Sequence, residues 1–184
     1  MIFEENKDSY SLHFKPLASN AELNNGLWLV LAGLKDVPPH IALISEAKYY
    51  SVSARNVKAG EPIDKFLRAI SRKSLPTLFV SIKAPLHTKF KGGGLQVIFE
   101  SYTTLGNGDH TCHWPIRDFF AKAFSAEFAN VELVFELLAL AQHNNMLNDC
   151  KSMYLHKTPS VISLPKYTAK HIRTKINSIL KVNE

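Results

Sequence analysis

Cys112 and the histidines around it are the residues of this sequence best suited to covalent chemistry. Cys112 follows a glycine-rich turn predicted at 106–109 and precedes Pro115, which suits the first turn of a helix. The positive end of a helix dipole, helped by His110 or His113, lowers the pKa of a nearby thiol and raises its thiolate fraction. The pattern therefore predicts a nucleophilic thiol. The alternative is a buried cysteine that acts only as a small apolar residue.

His40 is the candidate base for this thiol. It opens a strand predicted over 40–44, directly after Pro38-Pro39. A strand histidine that faces a cysteine at a helix start can take the thiol proton and return it to the leaving group. A third polar group would orient the imidazole ring, and Ser51, Ser53 and Asn56 are near enough in sequence on the return strand. The alternative is a histidine bonded only to backbone.

Two segments of the chain resemble a known enzyme family. Residues 40–44 with Tyr49-Tyr50, followed much later by 110–113, are similar to the circularly permuted NlpC/P60-like enzymes, including the lecithin:retinol acyltransferase-like proteins. The resemblance implies a papain-like fold in which the cysteine accepts an acyl group and the strand histidine is its base, acting on amide or ester bonds. Two positions depart from the family: Val52 replaces a second histidine and Thr111 an asparagine. A degenerate member that binds without cleaving would have a similar sequence.

Metal and phosphate sites are less well supported by the residue spacing. His110, Cys112 and His113 supply three zinc ligands, but only the weak pair His143 and Cys150 could complete a site. Glycines 92–94 follow lysines but open a predicted strand, whereas a P-loop opens a helix. We therefore expect no metal and no cofactor.

The elements that would position these residues indicate an α+β domain. Strands are predicted over 10–14, 40–44, 49–53, 76–82 and 95–102, and the apolar stretch 27–31 is either a buried helix or a strand. Helices are predicted from Asn20 and over 63–70, 115–128, 131–147 and 168–180. Because strands come first and helices concentrate near the end, we expect an antiparallel sheet with helices packed mainly on one face.

Length and composition are those of one globular domain. The 184 residues are 46% hydrophobic and 21% charged, which predicts a single domain over 1–184 with loosely ordered ends at 1–16 and 181–184. The two cysteines suit a reducing compartment. The sequence shows no signal peptide pattern and no apolar stretch of membrane-spanning length, so we expect a cytoplasmic protein.

The charge of the chain suggests a second kind of function. The net charge is +6, with basic residues at 83–91 and at 157–181. A basic surface favours anionic partners such as nucleic acid or acidic lipid. The expected function is a cysteine hydrolase or acyltransferase with a small-molecule or peptide substrate. The alternative is a non-catalytic binding module that uses the 83–94 loop and the C-terminal helix to engage an acidic partner.

Overall fold

The computed structural model of the chain describes residues 2–83, 93–105, 111–156 and 160–181. Within these ranges the chain forms two β-sheets and five α-helices, which confirms the predicted α+β class. The strands are β1 (Phe3–Glu5), β2 (Ser9–His13), β3 (Lys15–Pro16), β4 (Leu27–Ala32), β5 (His40–Ser45), β6 (Lys48–Val52), β7 (Val57–Pro62), β8 (Thr77–Ile82), β9 (Leu147–Met153) and β10 (Val161–Pro165). The helices are α1 (Ile63–Arg72), α2 (Gly93–Glu100), α3 (Trp114–Ala123), α4 (Val134–His143) and α5 (Ala169–Lys181).

The larger sheet has the strand order β3-β9-β8-β4-β5-β6-β7, and the smaller one β1-β2-β10. Every pair is antiparallel except β3 with β9. The apolar stretch at 27–31 is the central strand β4, whose six residues are all buried because both faces of the sheet are covered. The predicted hairpin is confirmed as β5 and β6, joined through Glu46 and Ala47 at φ of 50° and 59°.

The helices pack mainly on one face of the larger sheet, as predicted. The main core joins alternate residues of β4, such as Leu29, to α2, α3 and α4 and to Ile172 of α5. The opposite face, which includes Val30, is covered by α1 and by a 3₁₀ turn over Asn20–Asn24 that Ser19 caps. The finer papain-like arrangement stays a prediction.

The prediction of a strand over 95–102 is wrong, because most of this segment belongs to the helix α2. Leu95, Ile98 and Phe99 are buried together at helical spacing. Gln96 Nε2 donates to Glu100 Oε1 at 2.7 Å across one helical turn. The alternation expected of a half-buried strand is therefore replaced by one apolar helical face.

The last third of the chain contains two strands that were not predicted. The helix expected over 131–147 ends at His143, where Asn145 adopts a φ of 54° and turns the chain into β9. The helix expected over 115–128 ends at Ala123 and is followed by a separate 3₁₀ turn over Ala126–Asn130. The C-terminal helix is confirmed as α5.

The N-terminal segment, expected to be loosely ordered over 1–16, forms β1 and β2 of the smaller sheet and β3 of the larger one. Phe3, Tyr10 and Leu12 are buried there. Gln142 of α4 holds β1 at both backbone groups of Phe3: the Phe3 amide donates to Gln142 Oε1 at 3.1 Å, and Gln142 Nε2 donates to the Phe3 carbonyl at 2.8 Å. Residues 182–184 and the turn predicted at 106–109 lie outside the described residues.

The two edges of the larger sheet are β3 and β7. β3 is two residues long and ends at Pro16. β7 carries Lys58 and Glu61, whose side chains are 3.8 Å apart, and ends at Pro62.

Candidate functional site

His40 and Cys112 meet where β5 and β6 separate. The two strands pair only from Leu43 to Ser45 on β5, although β5 begins at His40 and β6 continues to Val52. β6 pairs with β7 along its whole length, from Lys48 to Val52. Cys112, two residues before α3, lies next to this part of β5, because the amide N–H of Ile41 is within hydrogen-bonding reach of its sulfur.

The meeting point is a cavity of about 110 Å³ at the end of the larger sheet. His40 and Cys112 both line it, although His40 belongs to the same alternate set of β5 as Ala42, on the α1 face, whereas Cys112 packs against the main core. The remaining walls are largely apolar and include Pro38, Pro39, Leu105, Ile172, Ile176 and Ile179. Two residues far apart in sequence are thus brought to one opening by the split between strands.

The His40 ring is held by a tyrosine rather than by the serine expected from the sequence. His40 Nε2 and the Tyr49 hydroxyl are 3.4 Å apart, and Ser51 hydrogen-bonds to the same tyrosine side chain. Ser51 therefore acts on the imidazole only through Tyr49. Burial, followed by the positive charges of Lys175 and Lys58, lowers the His40 pKa to about 4. At neutral pH this imidazole is uncharged and can accept a proton.

The Cys112 thiol is protonated at neutral pH, which differs from the thiolate expected at a helix start. Burial raises its pKa, against smaller opposing effects of the Ile41 amide, its own amide and the Lys175 charge. Among the described residues no hydrogen bond joins the Cys112 sulfur to His40. The cavity is therefore lined by a neutral thiol and a neutral imidazole.

His113, expected to modulate Cys112, lies in the protein interior and does not line the cavity. Within the described ranges neither of its ring nitrogens makes a hydrogen bond of normal geometry. Burial is the largest cause that lowers its pKa, to about 4. His110 lies outside the described residues.

Lys175 of α5 is the site residue that sequence reasoning placed in the wrong context, as part of a basic surface. Its Nζ donates to the Pro38 carbonyl at 2.8 Å and pairs with Asp36 Oδ2 at 3.5 Å. These contacts fasten α5 across the cavity. Tyr49 was also missed, although strand alternation puts it on the same face as His40 and Ser51.

The other predicted sites have weaker support. In the part of the chain that the structure describes, no three His, Cys, Asp or Glu side chains cluster as metal ligands. Lys166 pairs with Glu5 at 2.7 Å, and the basic loop at 84–92 is not described, so convergence of the basic residues on one face stays a prediction. None of the described helices has the length and apolar character needed to cross a bilayer.

Comparisons with family models, with curated proteins and with solved structures found no match to this chain. The function is therefore inferred from the cavity and its residues.

Proposed function

We propose that the chain is a cysteine hydrolase or acyltransferase that acts on an amide or ester bond, with Cys112 as nucleophile and His40 as base. The observation that carries this proposal is that both side chains, from a strand start and a helix start, line one cavity. The lowered pKa of His40 keeps the ring in its proton-accepting form at neutral pH. Tyr49 positions the ring.

The reaction proceeds in two steps, acylation of Cys112 and deacylation. The Cys112 sulfur attacks the substrate carbonyl while its proton passes to His40, and the collapse of the tetrahedral species returns that proton to the departing alcohol or amine. A thioester remains on Cys112. Water, or an acceptor alcohol or amine, then attacks the thioester as its proton passes to His40, and the proton is returned to the sulfur as the acid, ester or amide leaves.

The burial of the pair has a kinetic consequence for this reaction. Proton transfer from a thiol of raised pKa to an imidazole of lowered pKa is unfavourable. Burial is the first cause of both shifts, so displacement of α5 would move both values towards the ordinary range. We therefore expect slow acylation while α5 covers the pair and faster acylation when α5 is displaced.

Acylation of Cys112 by an activated ester tests the proposal. The experiment uses a Cys150→Ser background, p-nitrophenyl butyrate and intact-mass spectrometry. A single butyryl adduct is expected, and His40→Gln should lower its rate of formation about a hundred-fold or more. His143→Gln, an exposed histidine at the end of α4, is the matched control and should leave the rate unchanged. Equal rates in the His40→Gln and parent proteins would refute the role of His40, and absence of any adduct would refute the nucleophile.

A non-catalytic binding module is the second candidate. It is favoured by the neutral state of the Cys112 thiol and the His40 imidazole, and by the fact that these two groups have separate hydrogen-bond partners. Its surface would be α5, which contains no acidic residue and exposes Lys170 and Lys181. Salt-dependent retention on heparin that is lost in a Lys170→Glu, Lys181→Glu variant would support it, and elution at low salt by the parent protein would argue against it.

A further inference from the structure

The charged groups that act on the cavity are positive. Among the described residues that line it, Lys175 carries a full charge and none is acidic. Burial has the largest influence on both reacting groups, lowering the pKa of His40 and raising that of Cys112, and the positive charge of Lys175 then lowers both pKa values. The positive charge of Lys58 acts on His40 as well. A substrate that enters the cavity therefore meets a positive electrostatic potential.

The ion pair that Lys175 makes in the protein involves a carboxylate on the surface. Its Nζ lies 3.5 Å from Asp36 Oδ2, and the Asp36 side chain is 63% exposed. An ion pair with so exposed a carboxylate is weak, because water and salt compete for both charges. A lysine ammonium has three N–H donors, and the other contact of this one is the Pro38 carbonyl at 2.8 Å. A second carboxylate can therefore replace Asp36, or bind beside it, while the bond to Pro38 stays in place.

Resting on the function proposed above, we propose that the substrate carries a carboxylate, which Lys175 binds while the reacting carbonyl lies at Cys112. The apolar walls, among them Leu105 and Ile176, then contact the hydrocarbon part of the substrate. The ion pair with Asp36 shows that the surroundings of Nζ accept a carboxylate group. Lys175 is a specificity-determining residue in this arrangement.

Two alkylating reagents of similar shape test for the carboxylate site. Iodoacetate carries a negative charge and iodoacetamide does not, and both alkylate Cys112 without acyl transfer. Their rate ratio is measured in the Cys150→Ser background and divided by the ratio for free N-acetylcysteine. The ratio should be about tenfold above that of the free thiol, and Lys175→Met should return it to the free-thiol value. Lys122→Met, the same change at an exposed lysine in the last turn of α3, is the control and should leave the ratio unchanged.

The variant Asp36→Asn separates recognition of charge from loosening of α5. Asp36→Asn and Lys175→Met both break the ion pair that fastens α5, so loosening alone would move the two ratios in the same direction. Recognition by Lys175 moves them in opposite directions. Because Asp36→Asn removes the competing carboxylate, it should raise the ratio about twofold or more. A shift in the same direction in both variants would overturn the inference.

A pair of activated esters extends the test from reagents to substrates. Mono-p-nitrophenyl adipate and p-nitrophenyl hexanoate have acyl chains of equal length, and only the adipate ester carries a carboxylate. Relative to N-acetylcysteine, Cys112 should be acylated about tenfold faster by the adipate ester than by the hexanoate ester. Lys175→Met should abolish this difference.

The alkylation ratio and the acylation reaction can fail separately. A raised ratio that depends on Lys175, with no acylation by either ester, would support the carboxylate site and refute the proposed reaction. Acylation of Cys112 at equal relative rates by the two esters, with an alkylation ratio equal to that of the free thiol, would overturn the inference while the reaction stands. Circular dichroism of each variant verifies that α5 remains folded.

Discussion

Acidification is expected to destabilise the protein through His113, because this imidazole is buried in the protein interior. Burial lowers its pKa from 6.5 to about 4; the charge of Arg117 lowers it further, and the Val131 backbone and Asp118 oppose the shift. The unfolded chain therefore binds a proton at a higher pH than the folded chain does. The contribution of His113 to the free energy of unfolding is complete above pH ~6.5 and is lost as the pH falls towards ~4.

The size of this effect follows from the two pKa values. A difference between 6.5 and about 4 corresponds to about 3 kcal/mol over the whole interval, of which about 2 kcal/mol is lost by pH ~5. His113→Leu removes the titrating group and keeps an apolar side chain at the position. The free energy of unfolding of the parent, relative to His113→Leu, should therefore fall by about 2 kcal/mol between pH ~7 and pH ~5.

Urea unfolding at both pH values measures this difference, and titrations common to the two proteins cancel. Phe128→Leu is the control, since Phe128 is fully buried and its ring centroid lies 5.2 Å from that of Phe120. This substitution should destabilise the protein equally at both pH values. A parent-minus-His113→Leu difference that does not change with pH would show that His113 is solvated or hydrogen-bonded in solution.

Two further predictions concern α5 and β1. Ile172→Ala should loosen α5, because Ile172 is the buried residue of this helix, and the rate of Cys112 alkylation by iodoacetamide should rise about tenfold as burial of the thiol decreases. Thr174→Ala on the exposed side is the control, and equal alkylation rates in the two variants would contradict the covering role of α5. Gln142→Leu should lower the free energy of unfolding by about 1–3 kcal/mol, because it leaves both Phe3 backbone groups unpaired. Gln96→Leu removes only an exposed side-chain bond and should change urea stability much less; similar losses in both would refute the role of Gln142.

Local sequence patterns predicted the elements in which residue preference and periodicity agree with the observed conformation. The hairpin of β5 and β6 has apolar strands on either side of a short polar turn, and α1 has Ile63, Phe66, Leu67 and Ile70 on one face. The segment at 95–102 was mistaken for a strand because Val97 and Ile98 are β-branched, a preference that burial of one helical face overrides. β9 was missed because it alternates poorly: its polar residues Asn148 and Asp149 interrupt the pattern, and its pairing with β8 shifts register there.

The candidate site depends on tertiary contacts that cannot be predicted from local patterns in the sequence. The strand histidine and helix-start cysteine could be identified from residue type and neighbouring prolines, and the structure brings both to one cavity. The direction of the thiol pKa was not predictable, because the helix-start argument omits the burial that α5 and the main core impose. Tyr49 and Lys175 entered the site only through tertiary packing.

The two edge strands of the larger sheet, which both end at a proline, have a consequence for assembly. β3 offers two residues and ends at Pro16, which has no amide hydrogen, while β7 carries charged side chains and ends at Pro62. β3 is too short to template a strand from another molecule, and the six residues of β7 are interrupted by a register shift opposite Tyr49 and Tyr50 and by Gly60 at a φ of 91°. Edge-to-edge polymerisation of folded copies through the larger sheet is thereby disfavoured, even when the protein is concentrated.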